Sequence, residues 1–462
     1  MKDREALLIR AARHATEYLA GVGDRPVGAR ATGDELRAAL GGPLPEMGDP
    51  ATAVLDRLAS AALTGTVATQ GPRFFGFVVG GSRPEATAAD WLVSAWDQNA
   101  GLFVLSPLVS VVESVTAGWI RDIVGLPDGW SAGFVTGCQM ANFSAIVTAR
   151  HHVLAAAGWD VEAKGLAGGP PVEVIVSDES HYTVFTSIRM LGFGTDRVRR
   201  VPTDGQGRMR AGELAKTLRD GAGPCIICAQ AGNVNTGAFD PIAEIVPMAR
   251  ARGAWLHVDG AFGLWAAASP ALAHHVADVA EADSIATDAH KWLNVPYDSG
   301  IVLTAHPQSH RRALTLGAAY IVATPVERDP HEFVPDESRR ARAVPVYAVL
   351  RTLGRRGVRE MVERSCALAR RLADTLRQAP GVTVLNDVVL NQVLVRFEPP
   401  GGGDADAFTT AVIARVQDNG TCWLSGTTWH GMAAMRVSVS NWSTTEVDID
   451  RSAEAILRAA SD

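Results

Sequence analysis

From residue 172 to residue 306 the chain repeats one pattern. Short apolar runs ("VEVIVSDES", "VRRVPTD", "PCIICAQAG", "AWLHVDGAF", "DSIATDAHKW" and "GIVLTAH") alternate with turn residues and with helical segments such as "RAGELAKTLRDG" and "PIAEIVPMARARG". Runs of this length, bounded by Gly, Pro, Asp and Ser, read as buried strands rather than helices. Strand–helix alternation leaves few folds open, because strands joined through helices run parallel in one sheet covered on both faces. The expected class is therefore α/β with a largely parallel sheet. Any ligand crevice should lie outside the C-terminal ends of the strands.

Two flanking zones differ from this middle one. Residues 1–68 read as a helical segment broken by "GGPLPEMGDP", residues 69–340 as the α/β domain, and residues 341–462 as a smaller α+β domain. The last contains the long helical stretch "VREMVERSCALARRLADTLRQAPG" followed by "VTVLND", "NQVLVRFEPP" and "MAAMRVSVSN". With 462 residues, 47% hydrophobic and 20% charged, the chain can bury a substantial core. A net charge of −7 argues against a nucleic-acid surface. No apolar run approaches the roughly 18 residues of a membrane span. The start, "MKDREALLIRAARHATEYLA", is charged throughout and reads as an amphipathic helix rather than an export signal. Five cysteines in so long a chain are no disulfide framework, so a reducing cytoplasm is expected. Cys225 and Cys228 stand three apart on a strand and so point to opposite faces, with no second CxxC to complete a metal site. No metal is expected.

Chemistry concentrates in four segments. Of the 43 Lys and Arg residues only Lys2, Lys164, Lys216 and Lys291 are lysines. A chain that uses arginine for ordinary charge makes each lysine informative: a desolvated amine can lose its proton and form an imine, and a guanidinium cannot. Lys291 lies among apolar and aromatic neighbours in "TDAHKWLN". In "GFVTGCQMANFSAI" a glycine turn enters a helix, whose bare N–H groups and dipole suit a phosphate, with Cys138 and Gln139 at the helix start. His181 follows a strand end in "SDESHYTVF". In "AWLHVDGAFG", His257 and Asp259 share one face of a strand. A carboxylate ending so apolar a strand needs a partner, and the small residues after it admit something flat. An amine, an acid for a ring nitrogen, a phosphate turn and a ring-stacking group are together what pyridoxal 5'-phosphate requires.

In this order along the chain, the motifs resemble the group II pyridoxal-phosphate-dependent amino-acid decarboxylases, the aromatic amino acid and glutamate decarboxylase group. The resemblance runs from "GPRFFGF" (Gly71 to Phe77) into the third zone. It implies the PLP-dependent transferase fold of the aspartate aminotransferase-like kind (fold type I), an α/β large domain with a mostly parallel seven-stranded sheet plus a small C-terminal α+β domain. It implies that Lys291 holds the cofactor as a Schiff base, that Asp259 pairs with the pyridine nitrogen, and that His181 stacks on the ring opposite Ala261. Cys138, Gln139, Asn233, Asp288 and His290 match positions around the phosphate, and Phe77 matches the side-chain pocket. Hydroxyl or small residues are usual in the family where Cys138 and Gln139 stand.

The family's proton donor is a tyrosine on a loop that reaches the partner subunit's site. The matching loop, "IVATPVERDPHEFVPDESRRARAVPV", has no tyrosine between Tyr320 and Tyr347. His331 is expected to serve as the acid, since imidazole donates a proton near neutral pH. The implied reaction is decarboxylation of an aromatic or medium-sized apolar L-amino acid to the amine. The missing tyrosine leaves open an aldehyde product by oxidative deamination, and an aminotransferase could use the same fold. A non-catalytic binding protein could also keep this fold, but Lys291, Asp259 and His181 together oppose that reading. The resemblance further implies a cytoplasmic homodimer with sites at the subunit interface. Arg339 and Arg340 are expected at solvent or a subunit contact.

Overall fold

The computed structural model describes residues 2–315 and 327–461. The apolar runs form strands β1 (Ser131–Val135), β2 (Glu173–Ser177), β3 (Arg199–Val201), β4 (Cys225–Gln230), β5 (Trp255–Asp259), β6 (Ser284–Asp288) and β7 (Gly300–Thr304). They lie in the order β1-β7-β6-β5-β4-β2-β3. The pairs β2–β3, β2–β4, β4–β5 and β5–β6 are parallel. Only β7 opposes its neighbours, β1 and β6. The cause is local. No regular helix separates β6 from β7, and a short connection returns the chain antiparallel. That connection carries Lys291.

The helix Cys138–Ala156 and the helix Tyr182–Met190 pack on the sheet through Ile146, Val153, Val176, Ile188, Ile226 and Trp255, all almost fully buried. Each such side chain contributes about 1.5–3 kcal/mol by leaving water. Polar residues in the buried Cys138–Ala156 helix are satisfied internally: Ser144 Oγ donates to Met140 O and Thr148 Oγ1 to Ser144 O, each at 2.7 Å. β4 is buried along its whole length. Its cysteines are free, and burial pushes the Cys225 thiol up to about 12 and that of Cys228 higher still. They are core residues. Among the described residues no group of three or more His, Cys, Asp or Glu is arranged to hold a metal ion.

Two compact units emerge, one of Met1–Val79, Arg371–Leu385 and Leu394–Asp462, the other of Gly80–Arg370 and Asn386–Val393. The second contains the seven-stranded sheet. The first contains the helices Lys2–Gly21, Gly33–Leu40 and Ala51–Gly65 and most of a four-stranded sheet. Its strands β8 (Val382–Val384), β9 (Gln392–Phe397), β10 (Ser425–Trp429) and β11 (Met432–Ser438) follow the order β10-β11-β9-β8. Thr32 starts the Gly33–Leu40 helix with a reciprocal capping box to Glu35. No described helix is long and apolar enough to cross a membrane.

Arg339 departs from expectation. It is buried in the second unit, with Nη1 2.8 Å from Glu113 Oε2 and Nη2 donating to Phe134 O at 2.7 Å. Glu113, fully buried on the helix Pro107–Val124, needs positive partners there, and Arg328 supplies a second at 3.0 Å. Arg340 stays partly exposed and pairs with Asp90 at 2.7 Å.

Candidate active site

Two buried carboxylates end adjacent strands: Asp259 ends β5 and Asp288 ends β6. The start of the Cys138–Ala156 helix meets them. Cys138 N donates to Asp288 Oδ1 at 2.6 Å, so Asp288 takes one of the helix's unpaired N–H groups for itself. Close approach here depends on missing side chains. A Cβ on Gly300, the first residue of β7, would collide with the Gly137 backbone, and one on Gly137 would stand 3.1 Å from His290 Cε1.

Lys291 lies in the turn after β6, which is tied down by Ala289 N to Ser299 O at 3.1 Å and Val295 N to Ala289 O at 3.3 Å. Its Nζ is 3.0 Å from Asp288 Oδ2. Burial works against the charged amine, but Asp288, with lesser help from Cys138 and Asp259, outweighs it and holds Lys291 above the usual lysine range. Removing one partner of a buried pair costs about 3–5 kcal/mol unless the survivor neutralises itself. His290 completes the Asp288 environment. Its Nδ1 accepts from Ser299 N at 3.1 Å, which leaves the proton on Nε2, 3.3 Å from Asp288 Oδ1. Burial, opposed by Asp288, lowers the His290 pKa, favouring the neutral ring.

Asp259 has no cation in hydrogen-bond contact among the described residues. Neutral donors satisfy it: Cys138 Sγ at 3.3 Å and Ala261 N at 3.1 Å on Oδ1, and Asn142 Nδ2 at 3.1 Å on Oδ2. Oδ1 is thus doubly occupied, and Oδ2 keeps acceptor capacity.

The remaining residues singled out in the sequence are more dispersed. His181 caps the Tyr182–Met190 helix, half-buried, with Nδ1 2.7 Å from Thr183 Oγ1. Asn233 closes the turn after β4. Its Oδ1 accepts from Asn235 N and Thr236 N at 2.8 and 3.2 Å, and its Nδ2 reaches Glu179 O at 3.5 Å. Gln139 is half-buried in the first helical turn. Phe77 belongs to the other unit, where it is 59% exposed and its ring lies 5.5 Å from that of Trp423. His331, placed by sequence on a loop, is buried in a short 3-10 turn, Pro330–Phe333, with Nδ1 3.0 Å from Glu337 Oε2. The described contacts do not bring it to Lys291. The stretch 316–326 of the same loop, with Tyr320, lies outside the described residues. Asn142 and Gly300 escaped sequence reasoning, whereas Gly137 is the glycine of the turn read there as entering a helix. A buried Asn on a helix and a glycine opening a strand carry no local signal of the contacts they make.

The donor set fits pyridoxal 5'-phosphate. It offers a half-buried amine for the aldehyde, a carboxylate with a free acceptor site for the ring nitrogen, and for the phosphate a helix start entered through Gly137, which has no side chain. Comparison with known proteins agrees. The family model of the pyridoxal-dependent decarboxylase conserved domain matches residues 34–398. The aromatic-L-amino-acid decarboxylase of Bacillus atrophaeus is 27% identical over 434 residues, 91% of this chain and 88% of its own. Human cysteine sulfinic acid decarboxylase is 27% identical over 79% of this chain and 75% of its own. A crystal structure of Oryza sativa TDC with PLP and tryptamine superposes with a TM-score of 0.93 at 22% identity, covering 100% of this chain and 98% of that one. The chain belongs to the pyridoxal-dependent decarboxylase family. It is a pyridoxal-phosphate-dependent amino-acid decarboxylase, a carboxy-lyase, on the PLP-dependent transferase fold.

Proposed function

We propose that this decarboxylase converts an L-amino acid with an aromatic or medium-sized apolar side chain to its amine and CO2. The observation that carries the site assignment is the pair of half-buried Lys291 and buried Asp288 beside the neutrally satisfied Asp259. Phe77, the residue assigned to the substrate side chain, supports this class: it is an exposed apolar ring, 5.5 Å from that of Trp423. The Bacillus atrophaeus relative points the same way. An acidic side chain would call for a cation in place of this ring.

When bound, the cofactor supplies the sink for the electron pair left by departing CO2. The chain supplies placement and charge. Lys291 provides the amine, and Asp288 Oδ2, 3.0 Å from its Nζ, positions it. Asp259, through Oδ2, would pair with the ring nitrogen. Cys138, Gln139, His290, Asp288 and Asn233 are the residues that would hold the phosphate end. His181 would stack on the ring, opposite Ala261. His331 is the residue assigned to return a proton to Cα, with its Nδ1 3.0 Å from Glu337 Oε2.

Two copies complete the enzyme as a cytoplasmic homodimer in this reading. Trp91, Leu92, Trp96, Leu108 and Val111 are exposed on the helices Pro84–Trp96 and Pro107–Val124, an apolar surface that a second copy would cover. A panel of L-amino acids with CO2 and amine detection tests the substrate class. Aromatic substrates should exceed glutamate and cysteine sulfinate in kcat/KM by at least about tenfold, the worth of one well-filled apolar contact; the reverse ranking overturns the assignment. His331→Phe should raise the aldehyde-to-amine ratio, and an unchanged product mixture removes His331 from the reaction.

A further inference from the structure

Behind Asp259 runs a line of buried side chains that the reaction does not touch. His257 precedes Asp259 by two residues on β5 and shares its face. Ser284 is its register partner on β6. Asn142 comes from the first turns of the Cys138–Ala156 helix. His257, Ser284 and Asn142 are fully buried. Trp255 Nε1 lies 2.8 Å from Ser284 Oγ, Ser284 Oγ 2.9 Å from His257 Nδ1, His257 Nε2 2.9 Å from Asn142 Oδ1, and Asn142 Nδ2 3.1 Å from Asp259 Oδ2.

The chemistry of the two ends fixes every donor between them. An indole N–H only donates and a carboxylate only accepts. Asn142 therefore turns its amide nitrogen to Asp259 and its oxygen to His257. That oxygen must accept, so His257 carries its proton on Nε2. Its Nδ1 then accepts from the Ser284 hydroxyl, whose oxygen accepts from Trp255. The result is one directed chain, Trp255 to Ser284 to His257 to Asn142 to Asp259, with each dipole aligned with the next. Burial keeps the imidazole neutral, drawing its pKa down to about 4 against the opposing pull of Asp259.

We propose that His257 and Asn142 are positioning residues for the cofactor: through this chain they fix the rotation of the Asp259 carboxylate and keep Oδ2 charged and aimed. The proposal rests on reading Asp259 as the partner of the pyridine nitrogen. Oδ1 is locked by Cys138 and Ala261, and the single bond from Asn142 is what sets the other oxygen. A bond to a charged acceptor is roughly twice as strong as a neutral one, so its loss is felt at the carboxylate.

The test uses cofactor-free protein titrated with pyridoxal 5'-phosphate, reading the dissociation constant and the absorbance maximum of the bound form. Asn142→Ala and His257→Leu should weaken cofactor binding about 10–100-fold, the usual effect of losing a partner that orients a ligating group, and shift the maximum. His257→Gln, whose amide donates at one end and accepts at the other, should restore both to near wild type. Asn142→Ala and Ser284→Ala add no volume and remain informative if the leucine variant fails to fold; Ser284→Ala should give a smaller shift in the same direction. Variants that lose thermal stability yet keep wild-type affinity and spectrum overturn the proposal, as does a His257→Gln variant no better than His257→Leu. Asp259→Asn separates the two levels. If it weakens binding while the chain variants do not, only the positioning role falls. If it too binds like wild type, the reading of Asp259 falls first.

Discussion

Asp259 and Asp288 end neighbouring strands, and both are buried, yet the chain satisfies them by different means. Asp288 faces a lysine, a histidine and a helix N–H, all within 3.3 Å. Asp259 faces a thiol, a backbone N–H and an amide. The contrast separates two tasks. A carboxylate paired with an amine has its interactions tied to the state of that partner. A carboxylate held only by neutral donors keeps its charge and direction whatever the amine does, and has charge to spare for an incoming cation. One end of the site is tied to the amine and the other is built for permanence.

Substitutions at the permanent end should have the larger effect. Asp259→Ala is expected to lower kcat by about 10²–10³-fold, the cost of removing a preorganised charge, while cofactor still condenses with Lys291. A loss of less than tenfold would put the charge that matters elsewhere. Asp288→Asn should be milder, because the amine can shed its proton instead of remaining an unpaired ion. Asp288 holds the Lys291 pKa up, so in this variant the pH at which cofactor condenses with the amine should move down. An unmoved or upward-shifted titration would break the comparison. The smallest effect concerns the neutral donors. The usual histidine pKa is about 6.5, and His257 is held near 4 in the fold. The unfolded chain therefore binds a proton here over a range where the folded chain does not. Stability is intact above pH 6.5 and falls as pH drops toward 4, by roughly 3 kcal/mol at most. His257→Gln should flatten that slope in denaturant midpoints compared at pH 7.5 and 4.5. Equal losses in both proteins would assign the acid sensitivity to other groups.

Much of this was legible in the sequence, for identifiable reasons. Strand–helix alternation announced the sheet, because period and punctuation are local. Lys291 stood out by rarity, and Asp259 by ending an apolar strand. What stayed hidden depends on partners far away along the chain. Asp288 reads as a phosphate neighbour until its bond to Cys138 N, 150 residues earlier, appears. Asn142 reads as one more polar residue on a helix, and its bond to His257 spans 115 residues. Arg339 reads as a surface charge because nothing near it hints at Glu113, 226 residues away. His331 reads only as a loop residue because the turn that buries it has no strong local pattern.

The contrast between the two carboxylates matters only if the amine between them is the one that takes the cofactor. Borohydride reduction of the cofactor-loaded enzyme followed by peptide mapping decides this directly, since the chain offers only four lysines. The account predicts one pyridoxyl-phosphate adduct per chain, on Lys291, absent in Lys291→Ala together with all turnover. An adduct on Lys2, Lys164 or Lys216 in the active wild-type enzyme, or cofactor-dependent activity surviving in Lys291→Ala, would contradict it.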